Sequence, residues 1–388
     1  MTVAGLDGIV VAETVLSEVD GEAGRLVVRG LPVEALAGHA DFEEVARRLW
    51  EGLAPPPAPT AAAVRAALGR GRLAAFRNVD ELRRTAAGQP PVSALRLGLA
   101  SLRSGGAGDH LLATAAVPVF AAAFERARHG LPAVPPDPAL GHAADFLRML
   151  RGEPASAAEA AALDAYLVTV AEHGMNASTF TARVVASTRA GVLPAVIAAL
   201  CALEGPLHGG APGPVLEMLD ALRGRADVAA WLAAELGAGR RLMGFGHRIY
   251  RVRDPRADVL KAQVAKLRAA AERGPGAAAD AGTEEAGGRL ALAERVEREA
   301  LAALRNLRPG KRIDTNVEFY TAVLLDALRI DRGLFTSVFA AGRVAGWTAH
   351  VFEQELANRL IRPQSAYVGP RPEARQERPG TVEALARA

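Results

Sequence analysis

The sequence predicts a mainly α-helical protein, and three observations carry that prediction. Beyond residue 30, apolar residues recur at helical spacing almost without interruption. Strand signals are confined to residues 9–30, too few for a Rossmann sheet. The chain is 50% hydrophobic and 23% charged, a balance that buries a core, and 388 residues are enough for two domains, which can be interleaved.

Taken in order, residues 9–30 read as short strands, with Asp20-Gly21 as the turn and Arg25 to Arg29 as a β-branched run. Asp41 and Glu44 have the spacing of a capping box ahead of Phe42, Val45, Leu49 and Leu53 on one face. Prolines 55–59 break that helix, and Thr60 is placed to cap the next. Glycines at 105–108 precede an apolar helix around Leu111 to Phe124, and 130–138 is a proline-rich connection. Ser156 to Ala171 is an alanine-rich helix ending at Glu172-His173-Gly174. Two apolar helices follow, Ser178 to Thr188 and Leu193 to Leu203, with small faces that allow close approach. Residues 273–288 are Gly/Ala/Glu-rich and are expected to form a surface loop. A long helix over Leu334 to Leu360 carries Gly342 and Gly346 on one face, and 369–388 reads as an extended Pro/Arg/Glu-rich tail.

Composition narrows the function classes. A net charge of +3, from 46 basic and 43 acidic residues, is too balanced to propose nucleic acid as the partner. One cysteine, Cys201, rules out an internal disulfide framework and fits a reducing, cytoplasmic setting; it lies in an apolar run and is expected to be a small core residue. No basic-then-apolar leader opens the chain, and the longest apolar stretch is too short for a bilayer. Metal-type Cys/His spacing, a phosphate-binding Walker loop and a Gly-x-Ser-x-Gly elbow are all missing, so no metal and no cofactor is expected.

The chemistry-bearing stretch runs from Met243 to Arg256. Gly244 and Gly246 let backbone approach a ligand, and His247 follows among arginines, an arrangement suited to an anion that is polarised or protonated. With 39 glycines in the chain, the glycine pair alone is weak. His208, in Gly-Pro-Leu-His-Gly-Gly, is either a surface loop residue or a ring turned into a cleft. His173 follows a helix end, where it caps the helix or serves a site. Glu318 falls in the first turn of a helix capped by Thr315 or Asn316. There the dipole favours a ready carboxylate base, although first-turn acids are common. Arg343, within an apolar helix, must meet an anion, either an internal acid or a bound carboxylate. His110, His142 and His350 stand alone on helical patterns and read as core or surface residues, and Arg362 carries no signal by spacing.

At this point the chain resembles the citrate synthase family. The likeness runs from Gly5-Leu-Asp-Gly-Ile-Val-Val-Ala-Glu-Thr14 to Arg362-Pro-Gln-Ser365. Its most specific pieces are Glu-His-Gly-Met-Asn-Ala-Ser-Thr-Phe from Glu172, Gly-Pro-Leu-His-Gly-Gly from Gly205 and Gly-Phe-Gly-His-Arg-Ile-Tyr-Arg from Gly244. Asp254-Pro-Arg256 and Asn316-Val-Glu-Phe-Tyr320 complete the set. The resemblance implies a large helical domain, 1–209 with 330–388, carrying a short N-terminal β segment. A smaller helical domain, 210–329, would be inserted into it and close over the active site. It implies condensation of acetyl-CoA with oxaloacetate and water to give citrate and CoA. The alternatives are a 2-methylcitrate synthase using propionyl-CoA, or a non-catalytic paralogue that binds CoA or a carboxylate.

By motif, His208, His247 and Glu318 would be catalytic. His173, His247, Arg256, Arg343 and Arg362 would hold oxaloacetate, with Arg362 reaching across a homodimer. Arg251, Lys311, Gly244 and Gly246 would serve CoA. The family's usual base is aspartate, in Asn-Val-Asp-Phe-Tyr, where this chain has Glu318. Thr321-Ala322 likewise stands where Ser-Gly is common.

Overall fold

The computed structural model describes residues 4–6, 8–55, 59–103, 105–209, 212–247, 249–273, 281–307, 310 and 312–370, with the backbone alone for 281–287. Two compact units separate. One holds Met1–Glu13 with Ile361–Ala388, and the other holds Thr14–Leu360. Among its described residues, the first unit has a single 3-10 turn, Ala4–Leu6, and includes Arg362. Everything else lies in the second unit.

That unit opens with three antiparallel strands, β1 (Ser17–Asp20), β2 (Arg25–Val28) and β3 (Leu31–Pro32). The Asp20 carboxylate accepts the backbone N–H groups of Glu22 and Ala23, closing the turn that sets Ser17 opposite Val28. Leu26 and Val28 alternate inward, as a half-buried strand requires.

Helices follow: α1 (Val33–Leu36), α2 (Phe42–Trp50), α3 (Ala61–Phe76), α4 (Val79–Thr85), α5 (Pro91–Ala100), α6 (Asp109–Arg128), α7 (His142–Arg151) and α8 (Ala157–Ala171). After them come α9 (Ala177–Ser187), α10 (Val192–Leu203), α11 (Pro212–Leu222), α12 (Val228–Gly237), α13 (Pro255–Arg273), α14 (Ala281–Leu307), α15 (Val317–Ala327) and α16 (Phe335–Ala357). Thr60 caps α3, and Ser156 with Glu159 forms a complete capping box on α8. At α2 only half of the expected box forms. Asp41 accepts the Glu44 N–H, but the Glu44 carboxylate turns forward to Arg47 and Arg48, where two charges outbid one backbone donor.

Two further expectations are corrected. Residues 281–288 belong to α14 rather than to a loop, and 274–280 lie outside the described residues. Cys201 is exposed, because the α10 face that carries it turns away from the buried Leu200 and Leu203.

The core is centred on α6, α8 and α16. Buried side chains run along the whole of α16, from Phe335 to Gln354. Close packing needs its glycines. A Cβ on Gly342 would stand 2.8 Å from the Leu167 carbonyl oxygen, and one on Gly346 would collide with that of Ala171. Elsewhere, fully buried Arg72 pairs with fully buried Asp145 at 2.7 Å and donates to the carbonyls of Asp137 and Leu140. This fixes the 130–138 connection against α3.

Candidate active site

Residues 244–246 and 314–316 lie side by side. The Asn316 N–H donates to the Gly244 carbonyl at 3.0 Å, Gly246 N–H to Asp314 at 2.8 Å, and Asn316 Nδ2 to Gly246 at 2.8 Å. Both glycines have positive φ, +83° and +80°. A Cβ on Gly244 would stand 2.8 Å from the Cβ of Phe319, so that glycine is required by the protein's own packing. The arrangement brings His247 to the start of α15, which carries Glu318.

His247 has a definite hydrogen position. Its Nδ1 accepts the backbone N–H groups of Ile249 and Tyr250, at 3.0 and 3.1 Å, so the ring hydrogen sits on Nε2. Burial, then the neighbouring Arg256 charge, pushes its pKa down to about 4, so the ring is neutral. Nε2 lies 3.5 Å from Arg256 Nη2. Both atoms are donors, and they converge on a place that suits an oxygen acceptor.

Asp254 is completely buried and organises this corner. It accepts from Arg256 backbone N, Nε and Nη2, and its second oxygen accepts the Val317 N–H at 3.1 Å. Asn316 is the N-cap residue of α15 but makes no side-chain cap bond, so Asp254 supplies the cap from a distance. Burial opposes the charge on Arg256, but Asp254 outweighs it and holds the guanidinium ionised.

Glu318 projects from the first turn of α15. Its Oε2 is sealed from solvent without a hydrogen-bond partner among the described residues. Burial raises its pKa, with the Arg256 charge, as a favourable dipole would, pulling the other way.

Arg343 of α16 is 2% exposed. Its Nε donates to the Val170 carbonyl at 2.5 Å, and its guanidinium lies over the Phe339 ring at 4.9 Å. It forms no ion pair among the described residues. Burial lowers its pKa to about 10, with Glu172 the acid that most supports the charge. Of the two partners expected for this arginine, the internal ion-paired acid is therefore missing.

His173 is 7% exposed, and its Nε2 is 3.1 Å from the Tyr250 hydroxyl. Burial first, then the charges of Arg256 and Arg343, holds it well below the ordinary histidine range. Its ring lies 5.9 Å from that of His247, centroid to centroid. Glu172, one residue earlier, anchors the turn by accepting from Ser17, the Gly174 N–H and His350.

His208 is half-buried, edge-on to Phe339, and burial, then Arg343, takes its pKa down to about 4. Its Nε2 stands 2.7 Å from Ser178 Oγ, which also accepts from Trp347 Nε1 at 3.1 Å.

His173, His208, His247, Arg256, Arg343 and Glu318 thus come together. Arg251 does not join them. Its side chain is 63% exposed, 3.9 Å from Glu22, while its backbone N–H is tied to Gly21. Lys311 lies outside the described residues, and Arg362 belongs to the terminal unit. His110, His142 and His350 are all core residues.

The sequence reading missed Asp254 as a functional group, although it stands inside the quoted Asp-Pro-Arg motif, and it missed Tyr250 and Ser178. It also missed Tyr166, a fully buried residue of α8 on which Arg343, Glu318 and Arg256 act; an apolar helix position gave no signal for it. No group of three or more metal-ligating side chains occurs among the described residues, and none of their helices is long and apolar enough to cross a membrane.

Neutral imidazole donors, two buried guanidinium groups and a buried carboxylate with one unpartnered oxygen among the described residues suit one kind of chemistry. They can hold a small dianion, polarise a carbonyl, and remove a weakly acidic proton. A model of the citrate synthase C-terminal domain matches residues 5–364. The chain belongs to the citrate synthase family.

A citrate synthase from Haloferax volcanii is 38% identical over 386 residues, covering 94% of this chain and 95% of its own. A 2-methylcitrate synthase from Mycobacterium tuberculosis is 34% identical over 379 residues, covering 94% and 90%. The crystal structure of citrate synthase from Thermotoga maritima superposes with a TM-score of 0.78 at 32% identity, covering 95% and 96%. That of the Thermoplasma acidophilum enzyme, a ternary complex with carboxymethyl coenzyme A and oxaloacetate, gives 0.80 at 26%, covering 95% and 97%. This citrate synthase-family chain is therefore an acyltransferase of the class that converts the acyl group into an alkyl group on transfer, and it performs a citrate synthase-type condensation.

Proposed function

We propose that the enzyme joins acetyl-CoA to oxaloacetate, with hydrolysis of the thioester to citrate and CoA, and that Glu318, His208 and His247 carry the chemistry. The observation behind this reading is Arg343, a buried guanidinium whose terminal nitrogens have no acidic partner among the described residues. A bound carboxylate resolves that cost. Arg256 and His173 would take the remaining oxygens of oxaloacetate, together with Arg362 from the other subunit of a homodimer. His247 Nε2–H, beside Arg256 Nη2, would donate to the ketone oxygen and then give it a proton as the new carbon–carbon bond forms. Glu318 would remove a methyl proton from the thioester.

His208 would stabilise the oxygen of the resulting enol or enolate. Its Nε2 is engaged by Ser178, so the donor must be Nδ1. The Ser178 hydroxyl hydrogen has two acceptors in reach, Asn176 Oδ1 at 2.8 Å and His208 Nε2. Donated to His208, it places the ring hydrogen on Nδ1. One such donor supplies about 2.7–4 kcal/mol toward an otherwise unfavourable proton transfer.

Residues 210–329 would form the smaller domain closing over 1–209 and 330–388. Arg251, Lys311, Gly244 and Gly246 would meet CoA. Arg251 is exposed and its pair with Glu22 is long, 3.9 Å, so a phosphate could displace it. No cofactor beyond the thioester is needed, and a cytoplasmic location fits the single, unpaired Cys201.

The test is release of free CoA by Glu318→Gln, with oxaloacetate binding followed by tryptophan fluorescence. Loss of a general base lowers turnover by about 10²–10⁴-fold, while binding through Arg256 and Arg343 persists. A variant that turns over like the parent removes Glu318 from the mechanism.

A further inference from the structure

We propose that Gly21, in the turn of the β1–β2 hairpin, is a positioning residue for His247, holding the 249–251 backbone where it fixes the ring hydrogen on Nε2. The inference rests on the reading of His247 as the donor to the ketone. The hairpin touches both histidine segments. At one end, Ser17 Oγ donates to Glu172 at 2.8 Å and accepts the Gly174 N–H at 3.1 Å, bracketing His173. At the other, the Gly21 carbonyl accepts the Arg251 N–H at 2.8 Å. A Cβ on Gly21 would collide with the Ile249 carbonyl oxygen and stand 2.9 Å from its carbonyl carbon. One on Gly24 would stand 2.5 Å from Val252 Cγ2 and 3.1 Å from the Arg253 carbonyl oxygen. Backbone meets backbone here, a contact that only glycine permits at position 21.

The side chains flanking Tyr250 turn largely to solvent. Ile249 is 41% exposed, and the Arg251 side chain is 63% exposed with a long, weak pair to Glu22. What holds this backbone is buried Tyr250, its hydroxyl 3.1 Å from His173 Nε2, together with the Gly21 contact. The same backbone donates the Ile249 and Tyr250 N–H groups to His247 Nδ1, at 3.0 and 3.1 Å. Two donors on one nitrogen leave no place for a hydrogen there, so Nε2 carries it, 3.5 Å from Arg256 Nη2. Moved away from Nδ1, the backbone would no longer choose between the two nitrogens. A ring with its hydrogen on Nδ1 would then turn a lone pair toward the ketone oxygen and donate nothing. Gly21 is not among the glycines with positive φ, so alanine suits its local backbone and acts through the collision alone.

The experiment reads the tautomer by heteronuclear NMR of the imidazole nitrogens, the His247 signals being assigned by their loss in His247→Ala, beside kcat for CoA release. The parent should show hydrogen on Nε2 alone. Gly21→Ala should show a mixture of tautomers and lose about 100-fold in kcat, the effect of moving a reacting group by about 1 Å. Gly30→Ala, just past β2, is the control: its φ of +83° makes alanine strained, but the space around it is open. It should lose stability in urea and keep both kcat and the parental signature. Parental kcat or an unchanged signature in Gly21→Ala overturns the proposal, as does the same loss of signature in Gly30→Ala. Amide hydrogen exchange on the parent needs no variant. The N–H groups of Ile249, Tyr250 and Arg251 should be protected together, and an unprotected Arg251 N–H overturns the proposal as well. His247→Ala separates the two layers: full activity there sinks the ketone-donor reading, while signature and exchange still decide what Gly21 does.

Discussion

Replacing Glu297 by Gln should cost both stability and turnover, although the residue never touches the cleft. Glu297 lies on α14, 5% exposed. Its carboxylate accepts from the Tyr320 hydroxyl at 2.5 Å, Thr315 Oγ1 at 2.8 Å, Lys261 Nζ at 2.9 Å and Arg253 Nη1 at 2.9 Å. Burial alone would raise its pKa, but the bonds from Tyr320, Lys261, Thr315 and Arg253 overcome it and hold the group at about 2. Against the ordinary 4.5, and at 1.36 kcal/mol for each tenfold in proton affinity, the folded state gains about 3 kcal/mol from this one ionisation. Because the folded pKa is depressed, the gain is complete above about pH 4.5 and is lost as pH falls toward 2.

Urea unfolding should therefore place Glu297→Gln about 3 kcal/mol below the parent at pH 7, with the gap narrowing by half or more at pH 3. Thr315 and Tyr320 flank Glu318, so loosening them should lower kcat by about 10–100-fold while the KM for oxaloacetate changes little. A variant of parental stability at pH 7, or a gap unchanged at pH 3, would refute the account of Glu297 as an ionised anchor.

Two further outcomes are expected. Gly346→Ala should lose about 1–3 kcal/mol in urea unfolding and raise the oxaloacetate KM, because its Cβ collides with the end of α8 just before His173, whereas Gly237→Ala, with open space around it, should be neutral in both assays. The pH profile of kcat/KM should show no histidine inflection near 6.5, since His208 and His247 both stay neutral down to about 4. Its acid limb should follow Glu318, active only when deprotonated, and should lie above the ordinary carboxylate range because burial raises that group. An inflection at 6.5 that disappears in a Glu318-independent way would point to a histidine instead.

Local rules made much of the fold readable from the residues. Thr60 and Ser156 cap as their spacing requires, and the glycines of α16 pack where their shared face implied. What failed depended on partners distant in sequence. Glu44 left its capping box for two arginines, and Cys201 turned outward although its neighbours are apolar. Alanine and glutamate at 281–288 continue into α14, so a composition read as loop proved compatible with helix. The site shows the same division. Histidines and arginines in distinctive motifs announced themselves, and an arginine in an apolar helix demanded an anion. Glu297 and Tyr166 act through groups tens to well over a hundred residues away, and although Asp254 grips Arg256 two residues on, its bond to the Val317 N–H joins segments far apart in sequence, which no local spacing encodes.

Asp254 has a consequence of its own. A single carboxylate grips the arginine proposed to hold the ketoacid and terminates the helix that carries the proposed base. If residues 210–329 close as proposed, both would move as one rigid jaw, and the span between docking point and proton acceptor would be the same before and after. Such a closure would regulate access without retuning the chemistry, and a lesion at Asp254 should scatter two functions at once.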